Sequence, residues 1–173
     1  MTRYAALLRA VNVGGLKLPM TELKAMCDDA GFANARTYIA SGNVVFGADL
    51  SEPQIKNVLE QRLQAFAGKP VPVMIRTPAE LRAVVAANPF PDAQPSRLLI
   101  VFLDGAPAAN ALDGVRHQTS ERIALGLREI YIDFSEGIAT SKLVVPAMKL
   151  GTARNLNTVI KLAELADALP GRG

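Results

Sequence analysis

The chain has 173 residues, half of them apolar, with 19 basic and 16 acidic side chains giving a net charge of +3. That balance excludes a disordered polymer, and the length suits one compact core or two small fused ones. The basic excess is spread out rather than gathered in a patch or tail, so charge alone assigns no nucleic-acid or membrane partner.

Arg3 to Leu8 read as a buried strand. Its apolar run is interrupted by Arg9 and is too short for a signal-peptide core or a membrane span, so neither export nor a membrane partner is expected. Pro19 to Ala30 read as a helix with Leu23, Met26, Cys27 and Ala30 on one face and Gly31 just beyond. Arg36 to Ala40 and Val44 to Phe46 are strand-like, with Gly42-Asn43 between them as turn chemistry. Ile55, Val58, Leu59, Leu63 and Phe66 recur at helical spacing, Gly68 and Pro70 close that helix, and Val71 to Ile75 make a further strand.

The order β-α-β-β-α-β over residues 1–77 is the split βαβ, or ferredoxin-like, arrangement, and the fold class is α+β. A short helical pattern from Ala79 to Ala87 and the proline-rich stretch Asn88 to Pro95 form a connector over residues 78–96. The remainder, residues 97–173, reads as a second α+β subdomain. It opens with the strand Arg97 to Asp104, followed by a short helix. A strand pair from Arg122 to Leu127 and from Glu129 to Phe134 comes next, then helices over Ser141 to Leu150 and Asn155 to Leu169. This likeness to the first half suggests a degenerate repeat, although no final strand is visible.

Three polar strings stand out: Leu7 to Gly15, Tyr38 to Phe46 and Thr152 to Thr158. The ferredoxin-like topology places the end of the first strand, the start of the first helix and the Ser41-Gly42-Asn43 turn at one sheet edge. A helix start offers free backbone N–H groups, Gly14-Gly15 removes side chains that would keep a guest away, and Arg9 and Lys17 supply charge. A carboxylate or phosphate group is the natural guest. In the third string Thr152, Asn155 or Asn157 can cap the following helix, while Arg154 sits where a helix start favours negative charge, a conflict that a bound anion would resolve.

Plainer readings stand beside these. Gly42-Asn43 is ordinary turn chemistry, Asn12 can satisfy loop backbone, and Tyr38 suits a core aromatic. Ser141-Lys142 imitates a catalytic dyad, but adjacent residues of a helix point about 100° apart, which discards it. His117 has no Cys, His or carboxylate at ligand spacing, so no metal is expected. Gly14-Gly15-Leu16-Lys17 is not a phosphate-binding Walker loop, there is no dinucleotide fingerprint, and no cofactor is expected. The single cysteine, Cys27, fits a reduced, cytoplasmic setting and a core position rather than nucleophilic catalysis. No catalytic residue is assigned, and no oligomeric state is fixed.

On the strings LLRAVNVGG, LPMTEL, YIASGNVVF, the Ser141 to Leu143 stretch and LGTARNLNTVIKLAEL, the sequence resembles a family of uncharacterised bacterial proteins, domain of unknown function family 1697. Members commonly carry an aromatic where this chain has Leu156. The resemblance implies an α+β protein with ferredoxin-like elements and supplies no activity. Its pattern falls on Arg9, Asn12, Gly14, Gly15, Ser41, Gly42, Asn43, Arg154, Asn155 and Asn157.

Three functions are therefore weighed. The first is binding of a small anionic metabolite or nucleotide at the sheet edge, with or without catalysis, completed by Arg154, Asn155 and Asn157. The second is single-stranded RNA binding, because β-α-β-β-α-β is also the order of an RNA-recognition fold. Against it, only 5% of residues are aromatic, with Tyr4 and Phe46 the main candidates for stacking on bases. The third is a structural or protein-interaction module in which the polar strings only cap and turn.

Overall fold

Thr2–Leu8 forms strand β1, with Tyr4 to Leu8 all buried, because it runs through the centre of a four-stranded antiparallel sheet. The structure, a computed structural model, describes residues 1–170. The chain continues as α1 (Met20–Asp29), β2 (Ala33–Thr37), β3 (Asn43–Ala48), α2 (Glu52–Ala67) and β4 (Val73–Arg76). It goes on as α3 (Pro78–Ala86), β5 (Leu98–Phe102), β6 (Arg122–Leu125), β7 (Glu129–Asp133), a 3-10 turn (Pro146–Leu150), β8 (Thr152–Asn155) and α4 (Leu156–Asp167). The protein is mixed α+β, and no helix among the described residues is long and apolar enough to cross a membrane.

Two compact units share the chain. One comprises Met1–Leu81 with the stretch from Lys161 onward, the other Arg82–Ile160. In the first, the element order is the expected β-α-β-β-α-β and the strands lie in the order β2-β3-β1-β4. Leu23, Met26 and Cys27 of α1 and Ile55, Leu59 and Leu63 of α2 meet Ala6, Leu8, Val44 and Phe46 of the sheet in one apolar cluster. Each such side chain contributes about 1.5–3 kcal/mol on burial. Local chemistry agrees with this packing at both ends of α2. Ser51 and Gln54 form a reciprocal capping box, and Gly68, at φ 72°, donates its N–H to the Gln64 carbonyl at 2.8 Å.

The second unit has the strand order β6-β7-β5-β8, which repeats that of the first sheet position for position. Its core includes Val101, Leu103, Ile130, Ile132, Phe134 and Val145. Three sequence expectations are corrected here. A final strand does exist: Thr152–Asn155 pairs antiparallel with β5, Arg154 opposite Ile100. It escapes an apolar pattern because its two buried positions are Thr152 and Arg154. Ser141 to Leu150 is not an α-helix, since Val144 bridges to Arg116 and Pro146, which opens a 3-10 turn, keeps Val145 extended. The short helix expected after β5 is instead a bend at Gly105 followed by turns from Ala109 to Gly114.

The connection between β2 and β3 is also longer than the Gly42-Asn43 pair. Tyr38 donates its N–H to the Asn43 carbonyl at 2.9 Å, leaving Ile39 to Gly42 as the turn, with Ile39 at φ 50° and Gly42 at φ 91°.

Candidate functional site

At the C-terminal end of β1 the backbone is tied to two other segments. Leu8 donates its N–H to the Gly42 carbonyl at 2.8 Å, and Arg9 donates its N–H to the Pro72 carbonyl at 3.0 Å. The two polar strings of the first half thus share one sheet edge, together with the loop that enters β4.

Asn12 organises that edge. It holds a left-handed backbone, φ 56°, that asparagine tolerates better than most residues. Its Nδ2 donates to the carbonyls of Leu18 at 2.9 Å and Ala40 at 2.7 Å, and its Oδ1 accepts from the Leu18 N–H at 2.8 Å. Its own N–H donates to the Leu16 carbonyl at 2.8 Å. Both amide protons are thereby spent on backbone, closing residues 12–18 into a loop and fastening that loop to the Ile39–Gly42 turn.

Asn43 is similarly committed. It is fully buried, and its Nδ2 donates to the Tyr38 carbonyl and to Ser41 Oγ, both at 3.0 Å. A Cβ on Gly42 would lie 2.5 Å from Val11 Cγ2 and 3.0 Å from Leu8 Cβ, so only glycine lets the turn rest on Val11. Ser41, Gly42 and Asn43 build the edge rather than face outward from it.

Other residues stay open. Gly14 is left-handed at φ 66°, which explains a glycine there. Gly15 is not left-handed, and a Cβ on it would meet nothing within 4 Å, so the chain's own packing does not call for glycine. Lys17 is exposed and Arg9 half-buried, and neither side chain pairs with another described residue. Helix α1 follows Pro19 as its N-cap with no side-chain cap; the Glu22 N–H donates to the Pro19 carbonyl at 3.0 Å, which leaves the Met20 and Thr21 amides without an internal acceptor. The segments Arg9–Pro19, Tyr38–Asn43 and Gly68–Pro72 carry Arg9, Lys17 and Lys69 and no acidic residue; the first acid to follow is Glu22, in the first turn of α1.

The third string behaves differently from expectation. Arg154 lies in strand β8, one residue before the N-cap of α4, and is 7% exposed. Its Nη1 donates to Thr152 Oγ1 at 2.7 Å and to the Ala153 carbonyl at 2.9 Å. Burial pulls its pKa down to about 10. Its guanidinium is thus engaged within β8 itself, by Thr152 and the Ala153 carbonyl. Asn155 is the N-cap of α4, its Oδ1 accepting from the Thr158 N–H at 2.9 Å, and Asn157 is exposed in the first turn.

Several alternatives lose their chemistry. Cys27 is buried, and desolvation pushes its thiol up to about 12, which removes the thiolate a nucleophile needs. Tyr4 and Phe46 are buried, with Tyr4 Oη donating to the Leu50 carbonyl at 2.8 Å and Phe46 stacked on Phe32, so neither ring offers a face to a base. Among the described residues no group of three or more His, Cys, Asp or Glu side chains is placed to hold a metal ion.

One cleft was not anticipated from the sequence. In the second unit His117, Glu121, Glu136, Ser141 and Lys142 line a space of about 250 Å³. The signal that could have found it was Ser141-Lys142, set aside on the premise that the segment is helical. The segment is not helical, yet the pair is still no dyad, because Ser141 Oγ donates to Glu121 Oε1 at 3.0 Å.

The family model described as Protein of unknown function (DUF1697) matches residues 1–131. Among solved structures, that of conserved bacterial protein SP0830 from Streptococcus pneumoniae is similar over 96% of this chain and 99% of its own, with a TM-score of 0.75 and 23% identity. That likeness establishes a shared fold. No curated protein matches the sequence.

Proposed function

The chain belongs to the DUF1697 family of proteins of unknown function, and from the charge and geometry of its first sheet edge we propose that it binds a small anionic metabolite or nucleotide there. The observation that carries the reading is the pairing of Arg9, Lys17 and Lys69, on segments without acids, with the uncapped start of α1. Cations and unsatisfied amides together favour a carboxylate or phosphate group. Gly15 adds support, because an open glycine lets a guest reach the backbone.

Residue roles divide accordingly. Arg9, Lys17 and the Gly14-Gly15 backbone meet the guest, while Asn12, Ser41, Gly42 and Asn43 hold the loops that present them. Arg154 and Asn155 are occupied in their own strand and helix cap, so the reading does not depend on them. No nucleophile or metal is required, and the site holds negative charge by donation.

Titration with pyrophosphate, citrate and adenosine monophosphate, followed by two-dimensional amide NMR, tests the reading. Saturable shifts at Gly14, Gly15 and Lys17 that vanish in an Arg9→Gln, Lys17→Gln variant support it. Unmoved amides at millimolar concentrations of all three compounds refute it.

The opposing account, a purely structural role, draws on the committed amides of Asn12, Asn43 and Asn155. It leaves Gly15 and the unpaired cations without a purpose.

A further inference from the structure

The cleft of the second unit lies between His117–Glu121 and Phe134–Lys142. Its floor is Glu121, 6% exposed. The carboxylate accepts hydrogen bonds from the Thr119 N–H at 3.0 Å, Thr119 Oγ1 at 3.3 Å and Ser141 Oγ at 3.0 Å. These donors, the Thr119 amide foremost, hold its carboxyl below the usual range, so it is charged at neutral pH. No basic side chain among the described residues pairs with it. Its partners are all neutral, so it brings an uncompensated negative charge to the wall of the cleft.

Around that floor stand three ionisable side chains that pair with no described residue: His117, Glu136 and Lys142. His117 is held at φ 60°, a left-handed conformation that costs energy in a residue other than glycine and that tends to occur at functional positions. The lining therefore offers acceptors for a cation at Glu121 and Glu136 and donors for an anion at Lys142 and His117. A guest carrying only negative charge would face two carboxylates; one carrying only positive charge would face Lys142. The space, about 250 Å³, is below the ~300–1,000 Å³ of pockets that take drug-sized molecules.

We propose that this cleft binds a small zwitterion of the α-amino-acid type. The ammonium sits over Glu121 and Glu136 and supplies the missing counter-charge, and the carboxylate meets Lys142 and His117. The binding is independent of the anion site on the first sheet, and no covalent step is involved.

The test uses the whole chain and L-alanine as probe, with acetate and ethylammonium as half-ligands, monitored by amide NMR. L-Alanine should shift Thr119, Gly137 and Ser141 saturably, at least tenfold more tightly than either half-ligand, and leave Gly14 and Gly15 unmoved. The exposed variants Lys142→Met and Glu136→Gln should each weaken it at least tenfold without altering the melting temperature. Absence of saturable shifts, half-ligands that bind as well as L-alanine, or variants that bind like the parent would each overturn the proposal.

Discussion

Asn12 Nδ2 donates to the Ala40 carbonyl at 2.7 Å, joining the loop after β1 to the turn before β3. A single amide thus fixes two segments that lie far apart in the sequence. Asn12→Ala removes three side-chain bonds to backbone and leaves the Leu18 and Ala40 groups to find water. A loss of about 1–3 kcal/mol is expected in urea unfolding. Asn12→Asp keeps the Leu18 N–H bond but sets a carboxylate oxygen against the Leu18 and Ala40 carbonyls, and should destabilise at least as much as Asn12→Ala.

Gly42 rests on Val11 so closely that any Cβ must displace it. Gly42→Ala should destabilise by about 1–3 kcal/mol, from overpacking and from the left-handed backbone together. Pairing it with Val11→Ala removes the 2.5 Å contact but neither the Leu8 Cβ contact nor the left-handed backbone. The double variant should therefore show partial recovery relative to the sum of the single changes, measured as a coupling energy.

Arg9→Gln and Lys17→Gln alter side chains that pair with no described residue. Each should change unfolding free energy by no more than about 0.5 kcal/mol. If the anion reading holds, the same two changes weaken pyrophosphate binding and flatten its salt dependence. A large stability loss with no binding effect would favour the structural role instead.

Glu121 gives the second unit an acid-sensitive point. Its folded-state pKa is lowered, the Thr119 amide contributing most, so its stabilising effect is present above the unfolded carboxyl value and is lost as pH falls through the folded one. Thermal melts on the acid side of the ordinary carboxylate range should show a decline in the parent that is shallower in Glu121→Gln.

Cys27 should resist alkylation in the folded state, because it is buried and its thiol is pushed up to about 12. Iodoacetamide at neutral pH should label it only as fast as the first unit opens, and urea should release the protection. Rapid labelling of native protein would contradict this placement.

The first sheet was legible because every level agreed there. Apolar spacing over Ile55, Leu59 and Leu63 and a Gly68 stop specify the same helix, and the Ser51 capping box agrees with them. The meeting of the Arg9 and Ser41 loops followed from topology. What the side chains do at that meeting was less legible, since an asparagine amide donates as readily to a backbone carbonyl as to a guest. β8 was invisible because Thr152 and Arg154 occupy its inward positions, and periodicity is read from apolar residues. The 141–150 stretch was misread because its apolar content resembles a helix until Pro146 is given its full weight.

The pairing of β5 with β8 makes the second sheet depend on a late part of the chain. During synthesis at 5–20 residues per second, the roughly 50 residues between them take on the order of 3–10 s to appear. Throughout that interval one hydrogen-bonding edge of Leu98–Phe102, an apolar stretch, has no native partner. The nascent protein is then open to mispairing with neighbouring chains on crowded ribosomes, and the hazard ends when Arg154 settles opposite Ile100.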